Sequence, residues 1–432
     1  MSIPVLSARG LGRLRIAVGV SLIWLLAREA PLAMPLELHR AYSPLSDLAF
    51  IHWIAASQPL LTFTHGLAIA AAVLFTIGFY TRAAYAVMVS ALLVTRLTTL
   101  HSSGTHDWDC PMAILLALLA VPWGDGISVD QWRSPSPIPP DTASPRYGLA
   151  LWAPGVVMGL AFAAAAYAKL STSGLEWITG GAVRYHFMED SDAAATTWGL
   201  WVAGQPMVAV AVSGAAVLFE ATWVFANGLR GPLLRLAAGA AALGLFLGFW
   251  AFQGAFWLPW VGWLLVWLPW DGWRPLRSAR LSGTPAVVTA VVVAVQVFAS
   301  VTYTEIEPVM SNYPMYSGTY ASTADFEHLR RRKFRQLHAR VGDTAVAIPA
   351  DDEEELFDAV ASSDPAAAAR IGALVARLCD GTGGPALDIT AERTRFDWSS
   401  ATPQRRIESF AHTFPCPPPG AEALPAGRVP AQ

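Results

Sequence analysis

The chain has 432 residues, of which 54% are hydrophobic and only 14% charged, with a formal net charge of −3. Water-soluble domains carry about a quarter charged residues, so the composition excludes an ordinary soluble fold, and the slight negative charge excludes a nucleic-acid surface. No Walker loop, paired zinc-ligand motif or dinucleotide-binding glycine turn is present, and three cysteines are too few for a disulfide scaffold.

Apolar runs of about 20 residues, the length that crosses a bilayer, recur along the chain. Nine spans are expected, near 11–28, 59–79, 83–100, 109–124, 149–168, 205–227, 232–250, 252–270 and 285–303. Arg9, Arg13 and Arg15 precede the apolar run Ile16–Ala27, a pattern shared with cleavable leaders. Pro31-Leu-Ala-Met34 is a poor cleavage site, so a retained first span is expected. Breaks fall at Gln58-Pro59, Tyr80-Thr-Arg82, Trp123-Gly-Asp-Gly126, Gly228–Pro232 and Trp270–Trp273, with Trp and Tyr at the ends as interfacial rings require. Segments 232–250 and 252–270 share almost no polar linker, so they read either as a hairpin or as one long tilted element.

With the N-terminus inside, the inner segments hold eleven arginines (9, 13, 15, 82, 133, 146, 230, 235, 274, 277 and 280). The outer loops hold four cations, Arg28, Arg40, Lys169 and Arg184. The asymmetry places the N-terminus in the cytoplasm, and an odd span count then places the C-terminus outside.

Beyond Thr304 the composition becomes polar. Expected there are a helix over Thr323–Arg335, a strand over Thr344–Ile348, helices over Asp351–Ala361 and Pro365–Leu378, and a hairpin across Arg393–Thr413. The fold class is thus an all-α polytopic membrane protein with a small extracytoplasmic α+β cap. Its divisions are a membrane domain 1–308, the cap 309–413 and a Pro-rich disordered tail 414–432. Cys110 reads as a small buried hydrophobe, while Cys379 and Cys416 could pair if the cap lies outside the cytoplasm.

Four constellations could carry chemistry. Lys169 ends an apolar run and is followed by Trp177, Arg184, Tyr185 and His186. A cation at the edge of hydrocarbon either snorkels as an interfacial anchor or, desolvated, serves as a base. The loop His101–Cys110 holds His101, His106, Asp107 and Asp109; it reads as a polar connector that caps the next helix or as a hydrogen-bonding wall for a ligand. A metal is not assigned, because His-x4-His lacks a closing pair of ligands. Glu220 and Arg96 are intramembrane charges, and such groups need partners, so an Arg96–Glu220 pair is expected. Glu305–Ser317, rich in Pro and Tyr, reads as a flap over the pocket or as an interfacial linker.

These residues, in this order, resemble the horizontally transferred transmembrane (HTTM) domain family, which includes the vitamin K-dependent gamma-carboxylases. The matching pieces are Arg15-Ile-Ala-Val-Gly19, Gly78-Phe-Tyr-Thr-Arg82, the His101–Asp109 loop, Ile127-Ser-Val-Asp130 and Ala168-Lys169-Leu170 with Trp177 and Gly180. Glu220 and Tyr313-Pro-Met-Tyr316 continue the pattern, and the resemblance covers residues 9–320. It implies a lyase-type membrane enzyme in which Lys169, supported by His101 and His106, deprotonates a reduced quinone resembling vitamin K hydroquinone. The oxygenated cofactor then removes a proton from a glutamate side chain, and the carbanion takes up carbon dioxide. Trp177, Arg184, Tyr185 and Gln253 are the implied cofactor contacts, and a protein or peptide on the outer face is the implied substrate. The sequence departs from the carboxylase pattern in having Ala168 where a second lysine stands and Phe246 where a histidine is common, leaving Gln253 as the polar residue of that helix. The competing expectation is a non-enzymatic membrane factor, for immunity, export or partner scaffolding, that shares only the fold.

Overall fold

The computed structural model describes residues 2–29, 50, 53–54, 57–99, 107–134, 137–302, 319–320, 322, 325–326, 334–349, 352–362, 371–379 and 384–416. The described chain is mostly helical and divides into two units. The first comprises Met1–Gly181, Ala193–Ala195 and Val210–Gly318; the second comprises Ala182–Asp192, Thr196–Ala209 and Thr319–Gln432.

The first unit is a helical bundle. Its strands β1 (Ser2–Pro4) and β2 (Leu6–Ser7) lead into α1 (Ala8–Arg28). The Ser7 hydroxyl caps that helix, accepting from the Gly10 amide at 2.9 Å. Helix α2 (Gln58–Ile77) opens with a proline in its first turn and stops at Gly78, whose φ of 76° is left-handed. Then follow α3 (Thr81–Thr99), α4 (Asp109–Ala117), the short strand β3 (Ala143–Ser144) and α5 (Pro145–Ser173). Helices α6 (Pro206–Thr222) and α7 (Pro232–Gln253), the strand β4 (Ser278–Arg280) and α8 (Thr284–Thr302) complete the series.

Six of these elements are long and apolar enough to cross a membrane: α1, α2, α5, α6 with its 3-10 continuation to Gly228, α7 and α8. Nine were expected. Helix α3 has membrane length but carries Arg82, Arg96 and several threonines, and it falls outside the six. The expected spans 109–124 and 252–270 form only the shorter apolar helices Asp109–Ala120 and Leu258–Trp267. Both finish as 3-10 helix, at Leu118–Ala120 and Gly262–Trp267. Each is bounded or interrupted by Gly and Pro (Pro122, Gly124, Gly254, Pro259, Gly262), and these residues break regular α-helix.

Helix α5 is the centre of the bundle: 78% of its apolar window is buried, against 22–56% for the other five. Around it Phe162, Trp223, Phe246, Trp257, Trp260 and Trp267 form one contiguous aromatic core. One end of the bundle is stitched by main chain. Strand β1 pairs with β4 and β2 with β3, Asp271 accepts from the Ser7 amide and hydroxyl, and the Asp130 amide donates to the Gly78 carbonyl at 2.9 Å.

The second unit holds a four-stranded antiparallel sheet in the order β6-β5-β7-β8: β5 Arg335–Val341, β6 Thr344–Val346, β7 Ala386–Asp397 and β8 Gln404–Pro415. Helices α9 (Glu353–Ala361) and α10 (Gly372–Cys379) bury Leu356, Phe357, Val360, Leu374 and Val375 against Ala339, Val341, Leu387 and Ile389 of the sheet. Cys379 and Cys416 form a disulfide, and Cys110 is free and buried. The hairpin spans more than Arg393–Thr413, and β5 is a strand that the sequence did not suggest. The expected helix Thr323–Arg335 lies largely outside the described residues, and its last residue begins β5. The tail beyond Cys416 and the segment Glu305–Ser317 also lie outside them.

Candidate functional site: a buried lysine–glutamate pair

Lys169 lies in the last turns of α5 and is 4% exposed; Glu220 lies near the end of α6 and is 3% exposed. The Lys169 Nζ donates to both carboxylate oxygens, at 2.9 Å to Oε1 and 2.8 Å to Oε2. Beyond Ser173 the chain turns at Gly174, whose φ is 62°, and enters the short helix Glu176–Thr179. This reversal brings Trp177, 1% exposed, over the ammonium, with the ring centroid 5.3 Å from Nζ. Two full charges shielded from water survive only if each supplies the other's partner. The ring adds a third, quadrupolar contact.

Lysine at this depth does not snorkel, which removes the interfacial-anchor alternative. The pairing of Arg96 with Glu220 is also corrected. Both Glu220 oxygens are taken by Lys169, and Arg96 pairs with Glu29 just past the end of α1. The Arg96 guanidinium also lies 4.1 Å from the Trp108 ring centroid, and the Trp108 indole donates to Glu29 at 3.3 Å. Glu29 was missed because it follows Arg28 at a span end and reads as an interfacial polar residue. The findable signal was topological: α1 and α3 run in the same direction, so their C-terminal ends share one end of the bundle.

Gln253 closes α7, is 4% exposed, and its buried Oε1 has no hydrogen-bond partner among the described residues. Arg184 and Tyr185 belong to the second unit. There the Arg184 guanidinium lies between the rings of Tyr185 and Trp398, at 5.4 and 5.1 Å, and Tyr185 packs on Tyr320 and Phe326. His101 and His106 lie outside the described residues. Among the described residues no group of three or more His, Cys, Asp or Glu is placed to hold a metal ion.

Three of the sequence pieces named above meet in one network. Arg15, fully buried, donates to the carbonyls of Trp123 (2.9 Å) and Ile127. Asp130 accepts from the Tyr80 amide (2.8 Å), the Thr81 amide (2.7 Å) and the Thr81 hydroxyl (2.6 Å), capping the start of α3. Partial burial raises the Asp130 carboxyl. The Thr81 and Tyr80 hydrogen bonds and the nearby Arg15 guanidinium outweigh that effect and hold it below the usual carboxylate range. These residues fix backbone and leave no group aimed at a reacting atom.

Comparison with protein-family models, curated proteins and solved structures gave no match in any of the three.

Proposed function

We propose that the chain is an integral membrane protein of the HTTM class in which the Lys169–Glu220 pair takes a proton from a reduced-quinone-type cofactor, as the resemblance to gamma-carboxylases implies. The observation that carries this reading is the pair itself. Shifting one proton across 2.8 Å would turn the buried ion pair into a neutral amine and acid. The neutral amine is a base without a hydration shell to displace. Trp177, whose ring lies over Nζ, and Gln253, whose buried Oε1 has no hydrogen-bond partner among the described residues, are the residues that the resemblance offers to a quinol. When bound, such a group supplies an acidic hydroxyl and reducing equivalents. Lys169 would take the proton at Nζ, while Glu220, keeping the proton it received from Lys169, holds the amine in place; the negative charge would stay on the deprotonated hydroxyl. A protein or peptide glutamate on the outer face is the acceptor that the resemblance implies.

In the same reading the bundle crosses the bilayer nine times. The segments 109–124 and 252–270 make the fourth and eighth crossings partly as 3-10 helix, which rises about 2.0 Å per residue instead of about 1.5 Å. The arginine-rich end then faces the cytoplasm, and the cap faces outward, in accord with its Cys379–Cys416 disulfide. A second reading, a non-enzymatic immunity, export or scaffolding factor, draws on one observation. The pair joins α5 to α6 and is almost wholly sealed from water, as a purely structural clamp would be.

Purified protein in vesicles, given phylloquinol, oxygen and labelled bicarbonate, separates the two. Quinone-epoxide formation that falls at least a hundredfold in Lys169→Ala, with or without label in peptide, supports the enzyme. Absence of quinol-dependent turnover in the unaltered protein, together with a loss of thermal stability in Lys169→Met that Lys169→Met/Glu220→Leu recovers, supports the clamp.

A further inference from the structure

We propose that the arginine-rich end of the first unit is a binding surface for anionic phospholipid, held through its phosphate. This does not rest on any role for Lys169; it requires only that the bundle sits in a bilayer.

The end is assembled from separate chain segments joined by the β1–β4 and β2–β3 pairings, the Ser7–Asp271 bonds and the Gly78–Asp130 bond. On it Arg82, Arg133, Arg146, Arg274, Arg277 and Arg280 are all exposed. Among the described residues none of these six has a carboxylate within ion-pair distance. The carboxylates of the same segments are already engaged. Asp130 caps α3, Asp271 caps α1, Asp125 accepts from the Tyr147 hydroxyl, and Asp141 pairs with Arg9. The surface therefore carries more guanidinium groups than carboxylates; Asp125 lies near enough to Arg82 and Arg146 to interact with their charge, and Arg133, Arg274, Arg277 and Arg280 make up the surplus. Guanidinium is planar, weakly hydrated and geometrically matched to phosphate oxygens.

A second feature selects a lipid phosphate over a free one. Exposed rings stand among the arginines: Trp132 is 80% exposed, Trp273 65% and Tyr80 61%. Arg133 lies over the rings of Phe79 and Tyr80, at 5.4 and 5.7 Å. Beside Arg9 opens a cleft of about 290 Å³ walled by Ile127, Trp132, Pro137 and Ile138. Its walls are mainly apolar, so it suits glycerol and the first methylenes of an acyl chain beneath a headgroup at the guanidinium level. Aromatic bodies and cations at one depth are what a headgroup region accommodates. A soluble anion would gain nothing from the rings or the cleft.

The test uses the full chain in neutral detergent, titrated with phosphatidylglycerol, phosphatidylcholine or inorganic phosphate, with native mass spectrometry and thermal unfolding as readouts. Phosphatidylglycerol is expected to remain bound and to raise the unfolding temperature, while the other two leave both unchanged. Arg133→Gln/Arg274→Gln/Arg277→Gln/Arg280→Gln should weaken phosphatidylglycerol binding by about a hundredfold or more, at about fivefold for each arginine near the surface. Its unfolding temperature in detergent alone should not change. If the quadruple variant does not fold, Arg133→Gln and Arg274→Gln singly should each show the fivefold loss. Equal binding of phosphatidylcholine, undiminished binding by the variants, or an equal response to inorganic phosphate each overturns the proposal; the last would make the site one for a soluble anion.

Discussion

Two of the cations buried in the bundle, Arg15 in α1 and Lys169 in α5, are held in opposite ways. Arg15 spends its donors on main-chain carbonyls, Trp123 and Ile127, with Asp130 close by but bonded elsewhere. Lys169 spends its donors on a carboxylate, both oxygens of Glu220. A carbonyl cannot take up a proton, so Arg15 is a fixed rivet whose only states are made and broken. A carboxylate can, and that is the property on which the proposed function draws. Burial alone does not distinguish the two arrangements; the nature of the acceptor does.

The largest effect should come from breaking the second arrangement on one side only. Lys169→Met or Glu220→Gln leaves the other group buried without its partner and should cost about 3–5 kcal/mol, read as loss of thermal stability in detergent. Lys169→Met/Glu220→Leu should recover most of that loss. If the double variant were as unstable as the sum of the singles, the two charges would not be acting as a pair. Arg15→Leu should cost somewhat less, about 2–4 kcal/mol, because it strands two carbonyls and no charge. Arg15→Lys should fail to rescue it, since one ammonium lacks the fork that reaches both carbonyls.

Arg96 and Glu29 form an intermediate case, with Glu29 about a third exposed. Glu29→Gln should cost only about 1 kcal/mol, since solvent screens the pair; a loss matching that of Glu220→Gln would place Glu29 in a far drier site than its exposure indicates. The smallest effect is that of pH at Asp130. Its carboxyl is held below the ordinary range, so its contribution is complete above about pH 4 and is lost as pH falls through the lowered value. Because the group is partly exposed, the effect should be below about 1 kcal/mol. Asp130→Asn should flatten that part of the acid limb of the stability profile, and an unchanged limb would remove Asp130 from it.

The membrane character, the end-to-end grouping of arginines and most of the C-terminal elements were legible because each depends on local composition or period. Hydropathy windows see apolar length, so 109–124 and 252–270 read as spans although Gly254 ends α7 in a left-handed turn and both segments finish as 3-10 helix. Lys169 was visible as an anomaly, but its partner was not. Glu220 was a candidate acid and Glu29 was not, and only the packing of α5 against α6 decides which cation Glu220 meets. Strand β5 was hidden because Arg335, Gln336, His338 and Arg340 alternate with Leu337, Ala339 and Val341 directly after the charged run Arg330–Lys333.

The Cys379–Cys416 bridge closes a covalent ring across 37 positions of chain, and that ring includes the exposed turn Ser399–Ala401 between β7 and β8. A protease that nicks this turn cuts the chain without separating it: the fragments migrate together on a gel until a reductant is added. Applied from one side of sealed vesicles, the same nick becomes a reporter of sidedness that needs no tag and no inserted residue.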